Sequence, residues 1–294
     1  MCGIFGIAST KSIRNKLYQG LIKLEYRGYD SSGISGSDVS SKLTTIKATG
    51  PIKNLRSKLT SLTRITTGIA HTRWATHGEA ILKNTHPHLS ENISIVHNGI
   101  IENYIELKSL LKKKGYSFKS DTDSEVISHL INMNYKKTKN MESSIILTTK
   151  MLKGSYAIGC INTNYPNIIF AACKGSPLII GKGVNENFIA SDIMPILSDT
   201  RHYITLDDNE FAKLTPSKIS IFNANKKIIS KKAKTSKINT EQSSLSGHKH
   251  FMHKEIFEQK AILKEMTNRY ICLLYTSDAA DEGLGVDLGG RRII

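Results

Sequence analysis

The sequence predicts an α+β protein built from layered sheets. Three observations carry this. Strand-like apolar runs follow one another, helix-like stretches follow one another, and no internal repeat or regular strand–helix–strand unit is present. At 294 residues the chain can bury roughly 75% of its unfolded surface, enough for a large core.

Taken in order, Ile4 to Ala8 reads as a short buried strand. Ile13, Leu17, Leu21 and Leu24 recur at helical spacing, which predicts a helix running to about Tyr26. Arg27-Gly28-Tyr29-Asp30-Ser31-Ser32-Gly33 is a turn-rich break. Gly68 to Ala70 and Ile93 to His97 read as strands, and Asn98-Gly99 as a turn after the second. Ile105, Leu107, Leu110 and Leu111 predict a helix that stops at Gly115. Ser120 is read as the cap of the next helix, whose inner face carries Val126, Ile127, Leu130 and Ile131. Short strands are expected near Tyr156–Ile161, Ile168–Ala172, Leu178–Ile180 and Phe188–Ala190.

Composition narrows the function classes. Hydrophobic residues make up 39% and charged residues 22%, as in ordinary soluble proteins. No apolar run approaches the ~20 residues of a membrane helix. The N-terminus lacks the basic-then-apolar layout of a signal peptide, so a cytoplasmic protein is expected, with no membrane partner. The formal net charge is +16, but the lysines are spread along the chain among many Ile and Asn. That mix is typical of AT-rich coding sequence and reads as solvated faces, not as a nucleic-acid site. Lys112 to Lys114 sits where a helix C-terminus favours cations, and Lys231 to Lys237 reads as an exposed connector.

Four cysteines are present, with no CxxC spacing, which argues against zinc. Cys160 and Cys173 lie in apolar runs and read as inert core residues. His71, His77, His86, His88 and His97 fit no HxxxH or HExxH pattern, and Pro87 extends the chain between His86 and His88. No metal and no cofactor are expected. Cys2 differs by position: it becomes residue one once Met1 is removed. Its thiol then sits beside its own α-amine, whose pKa of about 7.7–8 suits a base.

Other segments supply what such a thiol would need. Arg73, in His71-Thr72-Arg73-Trp74-Ala75-Thr76-His77-Gly78, stands at a strand end and can grip a carboxylate through two hydrogen bonds. His97-Asn98-Gly99 offers a side-chain amide and a backbone N–H, two donors for an oxyanion. Ser120-Asp121-Thr122-Asp123 places carboxylates before a predicted helix, one of them a candidate to bind an ammonium. Asp121 is the weaker candidate, a charge favoured by the helix dipole. Together these groups describe a site for an α-amino acid with a side-chain amide. In isolation each has a plain structural reading: a surface ion-pair arginine, a hairpin Asn-Gly, a core tryptophan at Trp74.

At this point the chain resembles the class II glutamine amidotransferases. The resemblance rests on Met1-Cys2-Gly3-Ile4, on Leu24 to Ser31, on His71 to Gly78, on His97 to Asn103 and on Ser120 to Glu125. Lys174-Gly175-Ser176-Pro177-Leu178 and Asn187 to Asp192 extend it, in family order, to about Asn268. It implies a four-layer αββα sandwich of the N-terminal-nucleophile (Ntn) hydrolase type. It implies that Cys2 attacks the amide of L-glutamine and that Asn98 and Gly99 stabilise the oxyanion. Arg73, with Thr76 and His77, would hold the α-carboxylate and Asp123 the α-amine, and Trp74 would sit on a mobile loop and gate ammonia transfer.

Within the class, the motifs are most similar to the branch that passes ammonia to fructose 6-phosphate on sugar-isomerase domains. His250 to Gln259 resembles that branch's link toward those domains, with Lys260 where the family usually has proline. The expected organisation is an amidotransferase domain over 2–222, a linker over 223–271, and a full-length form that is homo-oligomeric through domains beyond it. Residues 272–282 resemble a translated sequencing-library adapter, so 272–294 is expected to be non-native. Two alternatives stay open: another branch, such as the amidophosphoribosyltransferases, and a silent interaction module whose Cys2 remains masked by Met1.

Overall fold

The computed structural model describes residues 2–38, 40, 42–75, 78–238, 247–248 and 251–276. The chain divides into two units, residues 1–243 and residues 244–294. In chain order the first unit carries β1 (Gly3–Ser9), α1 (Arg14–Ile22), β2 (Ser31–Asp38), β3 (Leu43–Thr49), β4 (Ile65–Arg73), β5 (His88–Ser90) and β6 (Ile93–Ile101). Three helices follow, α2 (Tyr104–Lys112), α3 (Glu125–Thr138) and α4 (Met141–Thr149). Then come β7 (Gly154–Asn162), β8 (Ile169–Lys174), β9 (Ile179–Lys182), β10 (Glu186–Ala190) and β11 (His202–Thr205). The unit ends with β12 (Glu210–Leu214), β13 (Ile219–Asn223), β14 (Ile228–Ile229) and β15 (Lys234–Thr235). The second unit contains α5 (Phe251–Thr276).

The strands form two antiparallel sheets. One has the order β15-β11-β9-β10-β1-β4-β2-β3, the other β14-β13-β12-β8-β7-β6-β5. Three apolar clusters define the layers. Phe5, Ile7, Leu17, Leu21, Ile34 and Ala70 join α1 to the outer face of the first sheet. Ile4, Ala8, Ile69, Val96, Ala157 and Ile189 lie between the sheets. Val126, Ile127, Leu130, Ile145, Ile158 and Phe170 join α3 and α4 to the outer face of the second sheet. The result is the αββα order that the resemblance implies. Period-2 alternation explains the sequence of β1: Ile4 faces the other sheet while Phe5 and Ile7 face α1, so every residue is buried. Each such side chain stabilises the fold by about 1.5–3 kcal/mol relative to exposure.

Several expectations change at the boundaries. The first helix stops at Ile22, and the chain turns through a 3₁₀ segment at Glu25–Arg27 instead of continuing to Tyr26. The break expected to reach Gly33 ends earlier, because β2 begins at Ser31. Asn98-Gly99 is not a turn: β6 runs through both, opposite Ala157 and Tyr156. Ser120 does not cap α3, which begins at Glu125. Its hydroxyl meets Thr122 at 3.0 Å, while the Glu125 carboxylate accepts the backbone N–H groups of Lys119 and Ser120. Lys231 is not a free connector residue; it pairs with Asp207 at 2.7 Å and with Glu210. The segment set apart from Cys272 onward begins inside α5, and residues 277–294 lie outside the described residues.

Candidate active site

Cys2 stands at the head of β1, which is flanked in its sheet by β10 and β4. A Cβ on Gly3 would come within 2.6 Å of the Thr72 hydroxyl oxygen and 2.9 Å of Leu24 Cβ, so only glycine lets this end pack so closely. The Cys2 thiol lies against the backbone of Trp74, accepting from its N–H at 3.3 Å and donating to its carbonyl at 3.6 Å. Burial raises the thiol above its usual pKa, opposed by the Trp74 N–H and the charge of Arg73. At neutral pH Cys2 therefore rests as a thiol that needs a base.

The second sheet contributes Asn98 from β6. Its Nδ2 donates to the Cys2 carbonyl at 2.9 Å, and its Oδ1 lies 3.0 Å from His71 Nε2. The Cys2 carbonyl also accepts from Arg27 Nε at 3.3 Å. Gly99 follows at φ +130°, where a Cβ would meet the Ser155 carbonyl oxygen at 2.1 Å. That is why this position in a paired strand is glycine.

Arg73 ends β4 and is buried. Its Nη1 and Nη2 donate to the carbonyls of Glu79 at 3.0 Å and Gly78 at 2.8 Å, which ties the following loop back to the strand end. Asp123, also buried, accepts the Ile101 N–H at 2.7 Å just beyond Asn98-Gly99. Cys2, Asp30 and Asp123 all lie within electrostatic reach of the Arg73 guanidinium. Trp74 is 39% exposed and leans on Tyr29 with ring centroids 5.7 Å apart, which makes it a rim residue and not core. Thr76 and His77 lie outside the described residues. Asp121 is paired instead with Lys83 at 2.8 Å.

The structure thus brings Cys2, Arg73, Trp74, Asn98, Gly99 and Asp123 to one end of the sandwich. It also brings residues to which sequence reasoning gave no role. Arg27 reaches the Cys2 carbonyl and pairs with Asp192 at 3.0 Å, and Tyr26 donates to the same carboxylate at 2.7 Å. Asp30 accepts the Ala75 N–H at 2.8 Å. A Cβ on Gly28 would lie 2.7 Å from the Arg73 carbonyl carbon, so the Arg27–Asp30 stretch is pressed against the Arg73–Ala75 turn. Their only sequence signal was membership of a matched motif. Among the described residues no group of three or more His, Cys, Asp or Glu is arranged to hold a metal, and no helix is long and apolar enough to cross a membrane.

An αββα sandwich with this thiol, amide, guanidinium and carboxylate at one end of its sheets defines a class II glutamine amidotransferase domain of the Ntn-hydrolase type. Comparison with known proteins agrees. Residues 71–198 match the family described as the glutamine amidotransferase domain. It is 44% identical over 269 residues to the glutamine–fructose-6-phosphate aminotransferase (isomerizing) of Buchnera aphidicola subsp. Baizongia pistaciae, covering 90% of this chain and 44% of that protein. It is 45% identical over 276 residues to the protein of the same name from Wigglesworthia glossinidia brevipalpis, covering 92% of this chain and 45% of that one. Among solved structures it is similar to the glutamine phosphoribosylpyrophosphate amidotransferase of B. subtilis complexed with ADP and GMP. That match has a TM-score of 0.66 and 26% identity, and covers 77% of this chain and 50% of the other. The chain spans about half the length of the curated relatives it matches.

Proposed function

We propose that this chain is the glutamine-hydrolysing part of a glutamine–fructose-6-phosphate aminotransferase. The observation that carries the reading is an amide donor from one sheet and a buried guanidinium from the other beside Cys2, with the buried Asp123 carboxylate within electrostatic reach of that guanidinium. The 44–45% identity to proteins of that name, against 26% to the phosphoribosylpyrophosphate enzyme, favours this branch of the class.

With Met1 removed, the Cys2 α-amine takes the thiol proton, directly or through one water. The thiolate sulfur attacks the side-chain amide carbon of glutamine, whose α-carboxylate pairs with Arg73 and whose α-ammonium pairs with Asp123. Thr76 and His77 would assist Arg73, and Trp74 would close over the bound substrate. Charge moves onto the amide oxygen, where Asn98 Nδ2–H and the Gly99 N–H stabilise it. The C–N bond breaks, the amine returns its proton to the leaving nitrogen, and ammonia departs from a γ-glutamyl thioester. Water then attacks the thioester carbon and releases glutamate and the free thiol. No cofactor takes part.

In the complete enzyme the ammonia would reach fructose 6-phosphate on sugar-isomerase domains, with residues 2–222 as the amidotransferase domain, 223–271 as the link and 272–294 as a non-native tail. We read the protein as cytoplasmic, homo-oligomeric through those further domains, and without a nucleic-acid or membrane partner.

The test is glutamine hydrolysis by the chain after an intact-mass check that Met1 is gone. Equal amounts of glutamate and ammonia are expected from the processed protein, and none from protein that keeps Met1. Equal activity of the two forms would overturn the role of the free amine.

A further inference from the structure

The orientation of the Asn98 amide has a physical cause that no role assigned so far includes. We propose that His71 is a positioning residue, whose Nε2–H holds Asn98 Oδ1 and so turns the Asn98 amide N–H toward Cys2.

The hydrogen-bond pattern permits only one assignment. The Cys2 carbonyl oxygen accepts and cannot donate, so the Asn98 atom 2.9 Å from it is the amide nitrogen. The opposite atom, Oδ1, therefore faces His71 Nε2 at 3.0 Å. The His97 carbonyl lies 3.0 Å from the same Nε2. Two acceptors meet one ring nitrogen, which must carry the proton. The other nitrogen, Nδ1, is buried with no hydrogen-bond partner among the described residues, as suits a bare lone pair and not an N–H.

The surroundings keep this arrangement fixed. His71 is 1% exposed, and the His86 ring packs on it with centroids 4.0 Å apart. Burial holds the His71 pKa down at about 3, so the ring stays neutral across the working pH range and acts neither as base nor as acid. Its remaining capacity is one directed N–H. An asparagine amide rotates easily about its last torsion. Gripped at its oxygen by His71 and through one N–H by Cys2, Asn98 has its second N–H aimed without reorganisation, which is what oxyanion stabilisation requires.

The proposal rests on the glutaminase reading, and its test separates the two. His71→Leu removes the donor at similar volume, and His71→Gln places an amide N–H near the position of Nε2. Each is assayed for glutamine turnover and for alkylation of Cys2 by iodoacetamide, a displacement in which no oxyanion forms. His71→Leu is expected to lower kcat about ten- to a hundredfold with KM unchanged. Its alkylation rate should stay within about twofold of the parent, and His71→Gln should recover most of the lost kcat. Adding His71→Leu to Asn98→Ala should cost no further activity. Should His71→Leu not fold, His71→Asn, whose amide reaches only the Nδ1 position, must give the same split. Parent-like turnover in the donor-less variant, or turnover and alkylation falling in parallel, overturns the proposal. A parent that does not hydrolyse glutamine overturns the glutaminase reading instead.

Discussion

The Asn98 side chain donates to the Cys2 carbonyl across 2.9 Å, and that bond joins the two sheets at their functional end. Cys2 precedes a strand of one sheet and Asn98 lies within a strand of the other. The relative position of the proposed nucleophile and oxyanion donor is therefore set by the packing of the whole sandwich. Asn98→Ala is expected to lower kcat about a hundredfold while leaving the glutamine KM within about threefold, since in the proposed reaction the amide acts on charge that develops in the transition state. Steady-state kinetics of the processed protein check this, and a rise in KM alone would contradict it.

Arg73 is predicted to behave in the opposite way. Its fork is buried and already oriented by the Gly78 and Glu79 carbonyls. Loss of a charge-assisted pair with a carboxylate weakens binding by about 2 kcal/mol, or roughly thirtyfold in KM. Arg73→Ala should show that rise with a smaller change in kcat. Glutamine saturation curves provide the check, and an unchanged KM would remove the carboxylate assignment.

Gly99→Ala tests the backbone. A Cβ there would sit 2.1 Å from the Ser155 carbonyl oxygen at a φ of +130°. Strain of this kind costs about 2 kcal/mol or more, which lowers the melting temperature by about 5 °C in a domain this size. Calorimetry should show the loss together with reduced turnover. A parent-like melting temperature would mean that β6 relaxes freely at this point.

Four of the buried histidines give the fold an acid limit. Burial holds His71 down at about 3 and His86 and His88 well below the usual range, and it lowers His97 against the opposing pull of Asp123. In the unfolded chain each takes a proton below about pH 6.5. The unfolded state then binds more protons than the folded one, so stability falls as the pH drops through that range. The loss is about 1.4 kcal/mol per pH unit for each histidine that stays neutral in the fold. Melting temperatures between pH 7.5 and 5 should decline steeply below about 6.5; a flat profile would mean that the histidines protonate in place.

How much of this was legible depends on what each residue had to signal. β1, β6, β7, β8 and β10 carry apolar runs and were readable from pattern alone, as were α2 and α3. β2 was missed because Ser31-Ser32-Gly33-Ile34-Ser35-Gly36-Ser37 holds a single large apolar residue. It is buried all the same, since its small side chains admit close neighbours: a Cβ on Gly33 would lie 2.2 Å from the His86 carbonyl oxygen. Asn98-Gly99 reads as a turn because an Asn-Gly turn has positive φ at both residues, whereas here only Gly99 takes a positive φ and it does so inside a paired strand.

The polar set of the site was legible as residue types at motif positions. Its wiring was not. The bonds from Arg27 and Asn98 to Cys2 span 25 and 96 residues, and His71 meets Asn98 across 27. Only the folded sandwich brings those partners together.

In the proposed reaction the Cys2 sulfur becomes acylated by glutamine. Protein with Met1 removed, quenched in acid during turnover and digested, should yield an N-terminal peptide heavier by one γ-glutamyl group, on the Cys2 sulfur and labile to hydroxylamine. Cys2→Ala should show neither adduct nor glutamate release. Glutamate release by Cys2→Ala at the parent rate would rule out Cys2 as the nucleophile.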